Sequence, residues 1–422
     1  MKKIGVALLG IGTVGGGTYR ILQENRESIK ENYGIDIEVL RVIDLRKERM
    51  AALGGNPDIV SANIDDVIND ERISIVAEAF GGIEPARSYL IKCLLAGKSI
   101  VTANKEMFSK HAAELEKAAI KGKAGLYFEA TTAGGVPVIR TLTESMQGNR
   151  ILSVMGIVNG TTNYILSKMA DEGLEYQDVL KEAQALGYAE ANPSADVDGY
   201  DAMYKLSILS TLAFHTKVPV DKIYREGISN IQREDIENGK DFGYTLKLLA
   251  IGKKSPDSIE VRVHPAFIRD THPLSGVKGS FNAVHILGNN VGDIMLYGRG
   301  AGDLPTGSAI VSDIVVCAQA ACHKHHFLNV AGDSPAIKKD FETEYYVRMQ
   351  VLDRPGVLAK ISAVFARYGI SISSMHQKPL AGKASLIFFI HKTKESLMKK
   401  AIANMGKLEV VEKVEAVIRV EE

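Results

Sequence analysis

Gly10-Ile11-Gly12-Thr13-Val14-Gly15 lies between a short apolar run, Ile4 to Leu9, and a stretch of helical spacing from about Val14 to Ile29. In that setting a Gly-x-Gly-x-x-Gly turn lets the backbone approach a pyrophosphate. It also aims the free N–H groups and positive dipole end of the helix at it. Glycine-rich turns are common, so the surroundings decide. Working outward, Ile37–Ile43 and Ile73–Ala79 read as strands, a helix spans about Glu84 to Ala96, and Ser99–Thr102 is a further strand. A helix near Glu106–Ile120 and a strand Leu126–Ala130 follow. Strands alternating with helices of this length build a parallel sheet covered on both faces. Residues 1–130 are therefore expected to form a Rossmann-type dinucleotide-binding domain, with Gly10, Gly12, Thr13, Val14 and Gly15 against the nucleotide.

The second strand ends in Val42-Ile43-Asp44-Leu45-Arg46-Lys47. An acid there accepts bonds from the ribose hydroxyls of NAD, whereas neighbouring basic groups pair with the 2′-phosphate of NADP. Asp44 argues for NAD; Arg46 and Lys47 argue for NADP. Those two basic residues also fit a plain solvated turn, so the preference stays open.

Beyond residue 130 the pattern changes. Ile151–Val158 reads as a strand running into Asn159-Gly160-Thr161-Thr162-Asn163, a turn and helix-cap cluster. Helices at 162–172, 176–186 and about Tyr200–Phe214 follow. Strands Ile259–Ile268, Phe281–Leu287 and Asp293–Tyr297 then come without long helices between them, which predicts a mainly antiparallel α+β unit over 131–307. A helical segment at 308–326 is expected to pack back onto the first domain. Residues 331–344 read as a polar linker. Over 345–422 comes a ferredoxin-like βαββαβ pattern: Tyr345–Leu352, helix Val357–Tyr368, Ile370–Gln377, Ala384–His391, a helix near Lys394–Met405, and Val410–Val420.

Composition removes several classes of function. Lys plus Arg equals Asp plus Glu at 51 each, which leaves no electrostatic footprint for nucleic acid or an anionic membrane. No stretch reaches the roughly 18 apolar residues of a membrane-spanning helix. The basic, apolar start Met1-Lys2-Lys3 imitates a secretory signal, but glycines interrupt it at once and no cleavage site follows. Three cysteines, Cys93, Cys317 and Cys322, make no disulfide framework and suit a reducing compartment. The expected location is the cytoplasm.

The chemistry concentrates in Gly187-Tyr188-Ala189-Glu190-Ala191-Asn192-Pro193-Ser194-Ala195-Asp196 and its continuation to Lys205. Acidic groups crowd a Gly/Pro loop and end at a helix carrying Asp201 and Lys205, which share a face at i,i+4 spacing. A solvated ion pair is one reading. Against it, Leu206 to Thr216 contains no Lys, Arg or acid, so the helix reads as buried, where charges need partners or a purpose. Lys105, in Thr102-Ala103-Asn104-Lys105, sits just past the C-terminal end of a parallel strand, where open α/β sheets bind ligands. A surface lysine at a helix start is its plainer reading. Cys322-His323-Lys324-His325-His326 imitates a metal cluster but reads better as a polar helix end. Cys93, in an apolar helical run, reads as a small buried hydrophobe.

The run Ala183-Gln184-Ala185-Leu186-Gly187 through Lys205 resembles the signature of homoserine dehydrogenases. Gly10–Gly15, Thr102–Lys105, Asn159–Asn163 and Gly300-Ala301-Gly302 resemble that family's other landmarks in the same order. The resemblance covers about residues 1–325. It implies Lys205 as proton donor and acceptor, and Lys105 positioning the substrate oxygen between substrate and cofactor. It further implies Glu190 and Asp201 binding homoserine, Asp196 supporting them, and Gly187 and Gly302 near the NAD or NADP cofactor. A structural monovalent cation, sodium, on Glu129 and the carbonyls of Thr132, Gly134 and Val136 is implied as well.

Leu352-Asp353-Arg354-Pro355-Gly356-Val357, followed by Tyr368-Gly369-Ile370, resembles an ACT domain, a family that binds small amino acids. Any ferredoxin-like module would carry a similar turn. The resemblance implies an effector, threonine, near Asp353, Gly356 and Val357. Many ligand-binding members have Asn near the second strand, where this chain has Ser371 and Ser373. A homodimer or homotetramer is implied too. Two rival functions are a hydroxyacid dehydrogenase of the phosphoglycerate type with an ACT domain, and a non-catalytic amino-acid or nucleotide sensor. No Arg/Glu/His constellation supports the first, and the Lys105/Lys205 pair argues against the second.

Overall fold

The computed structural model describes residues 2–327, 336–380 and 382–422, and its strands sort into two sheets. The first joins β1 (Lys2–Leu9), β2 (Ile35–Ile43), β3 (Val60–Ser61), β4 (Ile73–Glu78), β5 (Ser99–Thr102) and β6 (Leu126–Tyr127). All pairs are parallel, in the order β3-β2-β1-β4-β5-β6. The order reverses between β1 and β4, and that is where a doubly wound sheet opens a crevice at its strand ends. Apolar runs such as Val6 to Leu9 are buried because helices cover both faces.

The helix expected from Val14 to Ile29 is two helices, Thr13–Glu24 and Arg26–Tyr33, parted at Asn25. The first packs against the late helix Asp303–Gln319. A Cβ at Gly17 would lie 2.2 Å from the Asp303 carbonyl oxygen, so only glycine allows that approach. The late helix stops at Gln319, short of the expected residue 326. Cys322 to His326 therefore lies past the helix end rather than within it. His323 hydrogen-bonds the Tyr127 hydroxyl at 3.0 Å, and the His326 N–H donates to Glu116. No group of three or more metal-ligating side chains occurs among the described residues.

The second sheet starts with β7 (Ile151–Ile157), β8 (Tyr224–Arg225), β9 (Tyr244–Lys254), β10 (Ser258–Arg269), β11 (Phe281–Gly288) and β12 (Gly292–Arg299). It continues through β13 (Ala336–Ile337), β14 (Glu342–Leu352), β15 (Ile372–Leu380), β16 (Lys383–Lys394) and β17 (Val411–Glu421). Its path is β12-β11-β7-β9-β10-β17-β14-β16-β15, with β8 and β13 beside β10. Strand β9 and the helix Arg233–Asp241 had no counterpart in the sequence reading. Lys247 interrupts the apolar run of β9, yet it is buried, donating to the Val277 carbonyl at 2.6 Å and to Asn163 at 3.1 Å.

The linker expected over 331–344 is not a free tether where it is described. Ala336–Ile337 pairs with β10, and β14 has already begun at Glu342; residues 331–335 lie outside the described residues. Strand β17 runs parallel to β10 over Ala266–Ile268, so one sheet continues from the middle unit into the C-terminal βαββαβ module. Buried ion pairs hold the seam, Arg262 with Glu421 and Arg348 with Asp235.

Candidate active site

At the C-terminal end of β1 the backbone turns through Gly10, whose φ of +92° favours glycine, and its N–H is held by the Ile43 carbonyl at 2.9 Å. A Cβ at Gly15 would lie 2.0 Å from the Gly10 carbonyl oxygen. At Gly12 the nearest atom to such a Cβ is an Arg49 guanidinium nitrogen at 3.8 Å, which leaves room for a ligand. Thr13 and Val14 open the helix, and no side chain caps its free N–H groups. This cradle fits a dinucleotide pyrophosphate. Overpacking costs about 1–3 kcal/mol. Gly15→Ala is therefore expected to weaken dinucleotide binding roughly 10- to 100-fold in a fluorescence titration.

Asp44 takes five donors: the N–H groups of Ile11, Leu45 and Arg46, and two guanidinium bonds from Arg46, all between 2.7 and 3.0 Å. The Arg46 bonds foremost hold this carboxyl far below the usual range. Its side chain is 4% exposed, that of Arg46 46%.

The Lys205 helix, Tyr200–Phe214, is buried along almost its whole length, as its uncharged second half predicts. Lys205 Nζ donates to Asp201 Oδ2 at 2.7 Å and to the Val158 carbonyl at 2.6 Å. Lys105 Nζ lies 3.1 Å from the other Asp201 oxygen. One carboxylate thus bridges two ammonium groups, and the solvated ion-pair reading falls away. The Lys205 side chain is 9% exposed and that of Lys105 is 44%. Burial, reinforced by Lys105, pulls Lys205 below the ordinary lysine value against the opposing charge of Asp201. Lys105 is pushed up, mainly by Asp201. Burial alone would raise the Asp201 carboxyl, but the two lysines hold it far below its usual range.

Asn159, a landmark without an assigned role in the sequence reading, organises the acids. Its Nδ2 donates to Asp196 at 2.7 Å and to Asp201 at 2.9 Å, while its Oδ1 caps the next helix through the Thr162 N–H. Burial, then the Asp201 charge, pushes Asp196 up. These groups share a cleft of about 510 Å³ with Val14, Gly187 and the Gly300–Gly302 turn. Glu190 stands apart: it is exposed, does not line that cleft, and its carboxylate has no hydrogen bond or ion pair among the described residues.

Glu129 is buried, with its two carboxylate oxygens accepting the Ile139 and Arg140 N–H groups at 2.8 Å each. Gly134, at φ +55°, packs on Gly300 so closely that a Cβ would lie 2.5 Å from its backbone. The Val136 carbonyl accepts the Val138 N–H at 2.8 Å. In the C-terminal module Gly356 (φ +86°) opens the helix Val357–Arg367 with no side-chain cap, and nothing lies within 4 Å of a Cβ there. Val357 is buried, and Asp353 accepts a 3.2 Å bond from Gln377.

A nucleotide cradle at the switch point of a doubly wound sheet, facing a buried lysine pair, defines an NAD(P)-dependent dehydrogenase. Residues 10–129 match the homoserine dehydrogenase NAD-binding domain, 137–315 the homoserine dehydrogenase family itself, and 345–410 the ACT domain. The homoserine dehydrogenase of Bacillus subtilis is 40% identical over 100% of this chain and 99% of its own length. A homoserine dehydrogenase structure from Thiobacillus denitrificans, 41% identical, superposes with a TM-score of 0.95 over 100% of this chain and 99% of that one. A hyperthermophilic archaeal homoserine dehydrogenase in complex with NADPH matches at 28% identity and a TM-score of 0.64, over 75% of this chain and 97% of its own. The chain belongs to the homoserine dehydrogenase family, and it is an NAD(P)-using oxidoreductase carrying an ACT domain.

Proposed function

We propose that this enzyme interconverts L-homoserine and L-aspartate 4-semialdehyde with Lys205 as proton donor and acceptor, favouring NADP(H). The observation that carries this reading is Asp201 held between Lys205 and Lys105 in the cleft beside the dinucleotide cradle. The bound nicotinamide supplies or accepts the hydride. In reduction the Lys205 ammonium faces the developing alkoxide and gives it a proton; in oxidation the neutral amine removes one. Lys105 holds the same oxygen from the exposed side. Asp201 orients both lysines and, with Asp196 beside it in the cleft and Glu190 on the exposed loop after Gly187, offers its carboxylate to the substrate ammonium. Because Lys205 is pulled below the ordinary lysine value, kcat/KM for oxidation rises with pH and levels off below that value. The reduction rate falls over the same window.

The preference for NADP(H) rests on Asp44. With both oxygens engaged by the turn and by Arg46, it is a poor acceptor for ribose hydroxyls. Arg46, Lys47 and Arg49 offer cations to a 2′-phosphate, and the archaeal relative bound NADPH. Glu129 with the carbonyls of Thr132, Gly134 and Val136 would hold a sodium ion, a hard-oxygen donor set suited to it. Charge supports that fit. Two buried acids lie together there: the Arg140 guanidinium pairs with Asp313 at 2.6 Å, while the Glu129 carboxylate is bonded by the backbone N–H groups of Ile139 and Arg140.

The setting we infer is cytoplasmic synthesis of threonine, methionine and isoleucine. Threonine would bind at the open Gly356 turn beside Asp353 and Val357. A homodimer or homotetramer would cover Met295 and Tyr297, exposed on the outermost strand β12. Oxidation of NADPH and of NADH is to be followed with aspartate semialdehyde, with and without threonine. The expected result is turnover, lower KM for NADPH and inhibition by threonine. Turnover only with other hydroxyacids, or nucleotide binding without turnover, overturns the reading; unchanged kinetics in threonine removes that effector.

A further inference from the structure

Glu78 ends β4 at the point where the strand order reverses, and it is wholly buried. The strand before it is apolar, Ile73, Ile75, Val76 and Ala77, so a carboxyl there is costly unless its oxygens are bonded. They are bonded, to the backbone just after β4 and to the Thr102–Asn104 turn beside it. Oε1 accepts the Phe80 N–H at 2.7 Å and Asn104 Nδ2 at 3.4 Å, while Oε2 accepts the Thr102 hydroxyl at 2.5 Å. Thr102 Oγ1 in turn accepts the Asn104 N–H at 3.0 Å. Asn104 Oδ1 caps the following helix through the Met107 N–H at 3.1 Å, and that helix begins at Lys105. The turn that launches Lys105 is thus tied at two residues to one carboxyl.

From this network we infer that Glu78 is a positioning residue: it fixes the Thr102–Asn104 turn so that the Lys105 ammonium meets Asp201 across the cleft. This rests on the role proposed for Lys105. A long lysine stem lands within 3.1 Å of its partner from a half-exposed position, and such a stem is aimed only if its base is fixed. The acceptor chemistry is specific. Thr102 Oγ1 already receives the Asn104 N–H, so its own proton needs an acceptor, which a carboxylate supplies. A glutamine amide turned to keep the Phe80 and Asn104 bonds would present N–H to Thr102 and leave that hydroxyl proton without a partner.

The test is Glu78→Gln, Lys105→Met and the double variant, each assayed for kcat, for KM and for dinucleotide Kd by titration without substrate. Misplacing a reacting group costs roughly 10- to 100-fold in rate. Glu78→Gln is expected to lose that much kcat with its dinucleotide Kd little changed, and to add nothing further in the Lys105→Met background. Full kcat in Glu78→Gln, an equal loss in both backgrounds, or a parallel loss of dinucleotide binding overturns the proposal. A fully active Lys105→Met overturns the role of Lys105 itself, and this inference with it, whatever Glu78→Gln does. If Glu78→Gln does not fold, Thr102→Val breaks the same link and is read identically.

Discussion

Lys205→Ala is expected to lower kcat at least about 10³-fold in both directions while dinucleotide affinity changes little. General acid–base catalysis supplies about 10²–10⁴-fold, and the lost ammonium also stabilised the alkoxide. Binding survives because Lys205, on the helix Tyr200–Phe214, spends its hydrogen bonds on Asp201 and the Val158 carbonyl rather than on the glycine turn. The fold survives because Asp201 keeps Lys105 and Asn159 as partners. Lys205→Arg should not rescue turnover: a guanidinium stays charged and cannot serve as base. Steady-state kinetics and a nucleotide titration on each variant check this. Near-normal turnover in Lys205→Ala would remove that residue from the mechanism.

Part of this centre was legible in the sequence because Asp196, Asp201 and Lys205 sit close together along the chain, whereas Lys105 and Asn159 join them only in the fold. Asp201 and Lys205 share a helix face, and the glycine turn announces itself between a strand and a helix. Glu78 left a fainter signal, an acid ending an apolar parallel strand, which gains meaning only once β5 brings Thr102 alongside. Strand β9 was hidden by Lys247, because a buried charge with two hydrogen-bond partners looks like a surface residue in a pattern of polarity. The weld between the ACT module and the middle sheet left no local trace. Arg262 and Glu421 pair across 159 positions, and the polar composition of 331–344 suggested a tether. Glu190 is the reverse case: its assignment came from resemblance alone, and its carboxylate lies outside the lining of the cleft.

That weld carries the other large effect. Arg419→Ala is expected to destabilise the full chain by about 3–5 kcal/mol, the usual cost of breaking a buried ion pair from one side. Arg419 is 4% exposed. It grips Glu395 with two bonds of 2.6 and 3.2 Å, Glu226 at 2.6 Å and the Tyr224 hydroxyl at 2.6 Å. Glu395 lies in the ACT module, whereas Tyr224 begins β8 and Glu226 follows it in the middle unit, so one guanidinium spans the seam. Arg225, between them, donates to the Asp198 carbonyl and stacks on Tyr200 at 3.6 Å, just ahead of Asp201. Loss of Arg419 should therefore raise the KM for homoserine as well as lower the urea midpoint. The pH dependence separates the ion pair from simple packing. Burial alone would raise the Glu395 carboxyl, but the Arg419 bonds and charge bring it down to about 2. A depressed carboxyl contributes stability above its ordinary range and loses it as pH falls toward 2. The gap between wild type and Arg419→Ala should be widest above the ordinary carboxylate range and close on acidification. A gap that stays constant with pH would assign the loss to packing rather than to charge.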